Sequence, residues 1–160
     1  MREWEKRPKE IQTLLNPAFC GRLLYAAIVE YDNKDNRHMP FPLLYLILPL
    51  VLHLETRQKI NGKIFLKWVQ VNQNLLTNFA SRTRDLVEIT NEAIEFLLCS
   101  GVIQLSERGE IGITACKKLR DVSRPNEEIR DCIQKSRHVA KWFIGAGTTQ
   151  NIYYFLGIRP

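Results

Sequence analysis

Residues 90–114 read TNEAIEFLLCSGVIQLSERGEIGIT and form the most organised stretch of the chain. Thr90 or Asn91 stands where an N-cap is wanted. Carboxylates follow in the first turn, Ala93, Ile94, Phe96, Leu97 and Leu98 are apolar, and Gly101 closes the run. That order predicts a helix over 90–99, because a short polar side chain satisfies the first free N–H groups and glycine accepts the left-handed turn at the far end. Two short alternating runs then flank Glu107-Arg108-Gly109, the pattern of a β-hairpin with glycine at its turn.

Upstream, Phe65 to Arg84 reads as one long helix with Leu66, Val69, Leu75, Leu76, Phe79 and Ala80 inward. Helix, turn, helix and hairpin is the order of a winged helix-turn-helix, expected over about 65–115. The fold class expected is therefore mainly α (α+β). It comprises a winged helix-turn-helix core with a two-stranded β-wing and additional N- and C-terminal helices, as a single domain over 1–160 with a helical extension at 125–160.

The flanking segments supply those helices. Asn16-Pro17 predicts a helix start, followed by Phe19, Leu23, Leu24, Ala27, Ile28 and Tyr31 at helical spacing. YDNKDNRHMP (31–40) reads as a polar loop. Pro40 to Leu52 is free of charge but contains Pro40, Pro42 and Pro49. A spanning helix needs about 20 apolar residues, so this shorter run is expected in the core, with Pro49 kinking or ending the helix. TRQKINGK (56–63) reads as a basic loop, and Glu127 to Phe143 as a helix. NIYYFLGIRP (151–160) is a short apolar element that must dock on its own core or on another chain.

Little in the sequence points to catalysis. His38, His53 and His138 have no ligand or base at a useful spacing, and neither G-x-S-x-G nor H-E-x-x-H occurs. GAGTTQ (145–150) lacks the Gly-Lys-Ser/Thr ending of a phosphate-binding loop. Cys20, Cys99, Cys116 and Cys132 form no C-x-x-C pair and read as reduced, mostly buried thiols. The charged amino terminus has no apolar h-region, so a cytoplasmic, non-enzymatic protein without cofactor is expected.

The formal net charge is +6, which invites a nucleic-acid partner, but its distribution argues otherwise. Residues 85–114 hold six acidic side chains and one basic. Glu92 and Glu95 would meet phosphate with the wrong sign on the helix that ordinarily enters the major groove. That helix is therefore expected to face protein. Arg57, Lys59, Lys63 and Lys67, joined by Arg82 and Arg84, form one candidate phosphate-contacting patch. Lys117, Lys118, Arg120 and Arg124 form another.

LNPAFCGRLLYAAIVEY, PFPLLYLILPLVLH, FASRTRDL and IYYFLGIRP resemble the middle component of bacterial three-component ABC systems, the Lamassu-type anti-phage and anti-plasmid defences. The resemblance runs from Trp4 to Pro160 and includes Asn16, Pro17, Phe19, Cys20, Pro42, His53, Trp142, Gly157, Arg159 and Pro160. It implies a small winged-helix adaptor beside an SMC- or Rad50-like coiled-coil ATPase and an effector, a nuclease or toxin. DNA would be reached through the complex, with no membrane partner. It carries no catalytic residue over. Ile152, Tyr153, Phe155, Leu156 and Arg159 in the tail, with Glu92 and Glu95, are the candidate partner-binding residues. The competing reading is a free-standing winged-helix transcription regulator, which would require a basic recognition helix.

Overall fold

The computed structural model describes residues 15–33, 37–120 and 125–158. Chain order runs through α1 (Pro17–Asp32), β1 (Met39–Pro40), a 3-10 turn (Phe41–Leu43), α2 (Leu44–Val51), α3 (Leu54–Lys59), α4 (Phe65–Val71) and α5 (Gln73–Leu76). It continues with α6 (Phe79–Asp85), α7 (Val87–Cys99), β2 (Ile103–Leu105), β3 (Glu110–Ile113), α8 (Glu127–Gly145) and α9 (Thr149–Phe155). The protein is mainly helical with one small antiparallel sheet, an α+β architecture.

Helix α1 begins where Asn16 Oδ1 accepts from the Ala18 N–H at 2.8 Å, with Pro17 in the first turn. Every residue from Cys20 to Ile28 is buried, so the helix is covered all round and not along one stripe. Its main neighbours are α7 and α8. At Gly21 an added Cβ would lie 3.1 Å from Phe96 Cδ1 and 3.4 Å from the Ala93 carbonyl, so glycine is what lets α1 and α7 approach. Buried Arg22 donates through Nη1 to the Arg120 carbonyl at 2.7 Å, tying the chain beyond the hairpin back to α1.

The uncharged run enters the core as expected. Pro42 sits in the 3-10 turn, and all of α2 except Tyr45 is buried. Pro49 withholds the N–H that would reach the Tyr45 carbonyl, and α2 ends two residues later at Val51. His53 then caps α3, so much of the expected basic loop is helix, with Thr56 and Arg57 buried. The 65–84 helix is also corrected: it breaks into α4, α5 and α6 at Asn72 and Asn78, whose φ values are −114° and −106°. Asn72 Nδ2 donates to the Trp68 carbonyl at 2.9 Å, the local competition with the backbone that makes asparagine a helix breaker. α7 starts at Val87 and not at 90, and Leu86 alone separates it from α6. Thr90 is no cap; its hydroxyl donates to the Leu86 carbonyl at 2.8 Å.

The hairpin forms around Gly109, which has φ 72° and donates its N–H to the Ser106 carbonyl. It is not two-stranded. β1 joins it in the order β1-β3-β2, pairing Met39 with Ile111 and Pro40 with Glu110. Two residues in a polar stretch offer no alternation from which to read a strand. Asp32, at the end of α1, fastens this edge: its Oδ2 accepts from the Ile113 N–H at 2.9 Å and its Oδ1 lies 3.3 Å from His38 Nδ1. One apolar cluster extends from Cys20 to Leu156. Among the described residues, no helix is long and apolar enough to cross a membrane.

Candidate protein-docking surfaces

The basic segment 56–67 divides into an inward and an outward part. Arg57 is 5% exposed and faces inward. Its guanidinium donates to Glu128 Oε1 at 2.9 Å, Asp131 Oδ2 at 3.1 Å and the Val51 carbonyl at 3.1 Å. It therefore clamps α3 onto α8 and is withdrawn from the expected phosphate-contacting patch. The charge has solvated partners and a backbone acceptor, which is how a buried guanidinium is tolerated. Lys59, Lys63 and Lys67 are exposed. Arg82 also turns inward, donating to the Leu75 carbonyl at 2.6 Å and to Thr56 Oγ1 at 3.2 Å.

His53 holds the head of α3. Its Nδ1 accepts from the Thr56 N–H at 3.3 Å and lies 2.8 Å from Thr56 Oγ1. That role requires an unprotonated Nδ1. Burial first, then the charge of Arg82, lowers its pKa from 6.5, with Glu55 opposing. The unfolded chain therefore takes up a proton before the folded one does. Stability from this group is complete above pH 6.5 and falls as the pH drops through the window just below it. In thermal melts, His53→Asn, which keeps a capping acceptor and cannot titrate, should flatten that part of the pH dependence. An identical slope in both proteins would refute the assignment.

Beside α3, the loop 60–64 is held from beneath. The Ile60 carbonyl accepts from Lys135 Nζ at 2.6 Å. The Gly62 carbonyl accepts from Trp142 Nε1 at 2.9 Å and from His138 Nε2 at 2.7 Å. Trp68 Nε1 donates to the Lys59 carbonyl at 2.7 Å. Below lies an aromatic cluster in which the Trp142 ring is 5.0 Å from Trp68 and 5.7 Å from Phe65. Between loop and α4 is a groove of about 370 Å³, lined by Gly62, Lys63, Ile64, Lys67, Trp68 and Val71 among others. Ile64 is 64% exposed and Val71 72%. Sequence reading passed over both, although Ile64, the N-cap of α4, and Val71, its last residue, stand seven residues apart with Trp68 four after the one and three before the other, a spacing that puts all three on one side.

On α7 the outward positions are Glu88, Asn91, Glu95, Leu98 and Cys99, with Glu92 half-buried. Their spacing makes one stripe carrying three carboxylates. Glu95 is exposed and Glu92 half-buried along that stripe, and Leu98 and Leu105 are exposed. Lys117, Lys118 and Arg120 are exposed beyond the hairpin. Arg124 and Arg159 lie outside the described residues.

The tail residues separate. Ile152 and Leu156 are wholly buried in this chain's own core, while Tyr153 and Phe155 are half-buried. Tyr153 Oη donates to the Pro42 carbonyl at 2.7 Å, and burial, with a smaller contribution from Tyr45, pushes its pKa up to about 12. Tyr154, which sequence reading did not single out as a contact, is 80% exposed. Between tail and hairpin turn lies a cavity of about 750 Å³, lined by Phe41, Arg108, Glu110, Gln150 and Tyr153 among others.

All four cysteines are free, but only Cys20 and Cys132 are buried; Cys99 and Cys116 are exposed, against the expectation of mostly buried thiols. Burial, with Glu92 adding, pushes the Cys20 thiol up to about 12, which makes it a poor nucleophile. Among the described residues, no group of three or more His, Cys, Asp or Glu is placed to hold a metal ion.

The molecule is thus an α+β protein with a basic, apolar-lined groove beside α4 and an acidic stripe along α7. A family described as ABC-three component (ABC-3C) system Middle Component 3 matches residues 4–160. The chain belongs to that family and is a middle component of a three-component ABC system, which implies partners in a complex. No curated protein and no solved structure matches the chain.

Proposed function

We propose that this middle component is a non-catalytic cytoplasmic adaptor. It links an SMC- or Rad50-like coiled-coil ATPase to a nuclease or toxin effector in a Lamassu-type defence against phage or plasmid DNA. Family membership supplies the setting. The observation that carries the protein-binding role is the acidic stripe of Glu88, Glu92 and Glu95 along the outer face of α7. In a winged helix-turn-helix, a reading that α6 and α7 followed by the β2–β3 hairpin support, α7 is the helix that would enter the major groove. Carboxylates there repel phosphate and favour a basic protein surface. Auxiliary DNA contact falls to Lys117, Lys118 and Arg120, as sequence-independent phosphate pairing.

Co-expression of the full chain with the other two components, followed by mass measurement of the purified product, tests the adaptor. A stoichiometric assembly containing an ATPase is expected, and Glu88→Lys/Glu95→Lys should weaken it by at least about tenfold. A chain that stays alone yet shifts one specific duplex at moderate salt would replace the adaptor with a free-standing transcription regulator.

A further inference from the structure

The geometry points to the groove on α4 as the docking site for an acidic amphipathic helix contributed by another component of the system, an inference that rests on the adaptor reading. The groove has an apolar floor and rim and a basic border. Trp68, 4% exposed, is the floor; Ile64 and Val71 stand proud on either side. Seven residues of helix separate those two side chains by about 10 Å. A second helix meets that spacing with apolar residues at i, i+3 or i+4, and i+7.

The charge selects the sign of the occupant. Residues 59–74 contain Lys59, Lys63 and Lys67 and no carboxylate, and Lys63 and Lys67 line the groove itself. Carboxylates flanking the apolar ridge of an incoming helix would pair with them at the rim, setting register and encounter rate while the apolar contact supplies affinity. DNA fits less well, because phosphates gain nothing from Ile64 and Val71, the two most prominent side chains of the site. The wall is built before the partner arrives: the Ile60 and Gly62 carbonyls are bonded to Lys135, His138 and Trp142 of α8. Preorganisation of that kind lowers the ordering cost of binding.

The test uses the full chain co-expressed with the other two components, comparing the parent with Val71→Glu and with Lys63→Glu/Lys67→Glu. These side chains are exposed, so the melting temperature of each isolated variant should match the parent. The expected result is that both variants lose the same component by at least about tenfold, and that the binding left in the lysine variant depends less on salt than the parent's. A photoreactive residue placed at Val71 should cross-link to a segment of that component rich in Glu and Asp with helical apolar spacing. If the parent assembles and both variants assemble equally well, the docking site is overturned and the adaptor reading stands. If the parent itself does not assemble, both fall. If the lysine variant loses only binding to a labelled DNA duplex, or to vesicles of anionic lipid, the groove belongs to that partner and the proposal is overturned.

Discussion

Ile152→Asp should lower the melting temperature of the isolated chain by roughly 10 °C or more, while Tyr154→Asp should leave it unchanged. The two positions are neighbours on α9 and face opposite ways. Ile152 is wholly buried in the cluster that runs back to α1. Removing its side chain forfeits about 1.5–3 kcal/mol of apolar burial. An unpaired carboxylate in its place adds several kcal/mol more, even after its pKa rises to keep it neutral. The cost exceeds about 4 kcal/mol, and each kcal/mol is worth about 2–4 °C in a chain of this size. Tyr154 is in water already, so a charge there alters no core contact. Calorimetry on the isolated proteins separates the cases. A parent-like melt for Ile152→Asp would mean that α9 takes no part in the core of the free chain and finds its seat on another subunit. The expected result instead makes Tyr154, and not Ile152 or Leu156, the residue of this helix at which docking can be tested without unfolding.

How much of this was legible in the sequence depended on whether a residue's role was set locally. The Asn16-Pro17 start, the Gly109 turn and the stop at Gly101 were readable because each answers to the backbone within a few positions. The uncharged run was readable because length and prolines excluded a membrane span. What failed was decided at a distance. Arg57 looked like one more surface cation; only the approach of α8, more than seventy residues away, gives it Glu128 and Asp131. β1 exists because β3 offers it partners, and nothing in Met39-Pro40 announces that. The breaks at Asn72 and Asn78 lay inside a run whose apolar period continues, so periodicity outvoted the asparagines. The acidic character of α7 was visible before the fold was known. The groove on α4 was not, because Ile64 and Val71 were not singled out and Leu66, expected inward, is itself exposed.

Trp142→Ala should cost about 3–5 kcal/mol, and Trp142→Phe only about 1–2 kcal/mol, yet both should weaken docking at α4. The indole does two jobs. Its ring fills space between Trp68, Phe65 and His138, at centroid distances of 5.0, 5.7 and 4.9 Å. Its N–H holds the Gly62 carbonyl. Alanine removes both and leaves a cavity under the loop. Phenylalanine keeps one aromatic ring in place, removes the bond and leaves a smaller void, and the Gly62 carbonyl retains His138 and has access to water, so the global loss is smaller. The local loss is larger, because the wall of the groove is then held at Gly62 by one donor where there were two. The expected pattern is a fall of roughly 10 °C or more for the alanine variant against roughly half that or less for phenylalanine. Faster amide exchange at 61–64 and a weaker assembly are expected even in the phenylalanine variant. Equal losses of melting temperature in the two would place the energy in the hydrogen bond. A phenylalanine variant with parent-like exchange and assembly would show that ring packing alone sets the loop, and that the groove does not depend on its tether to α8.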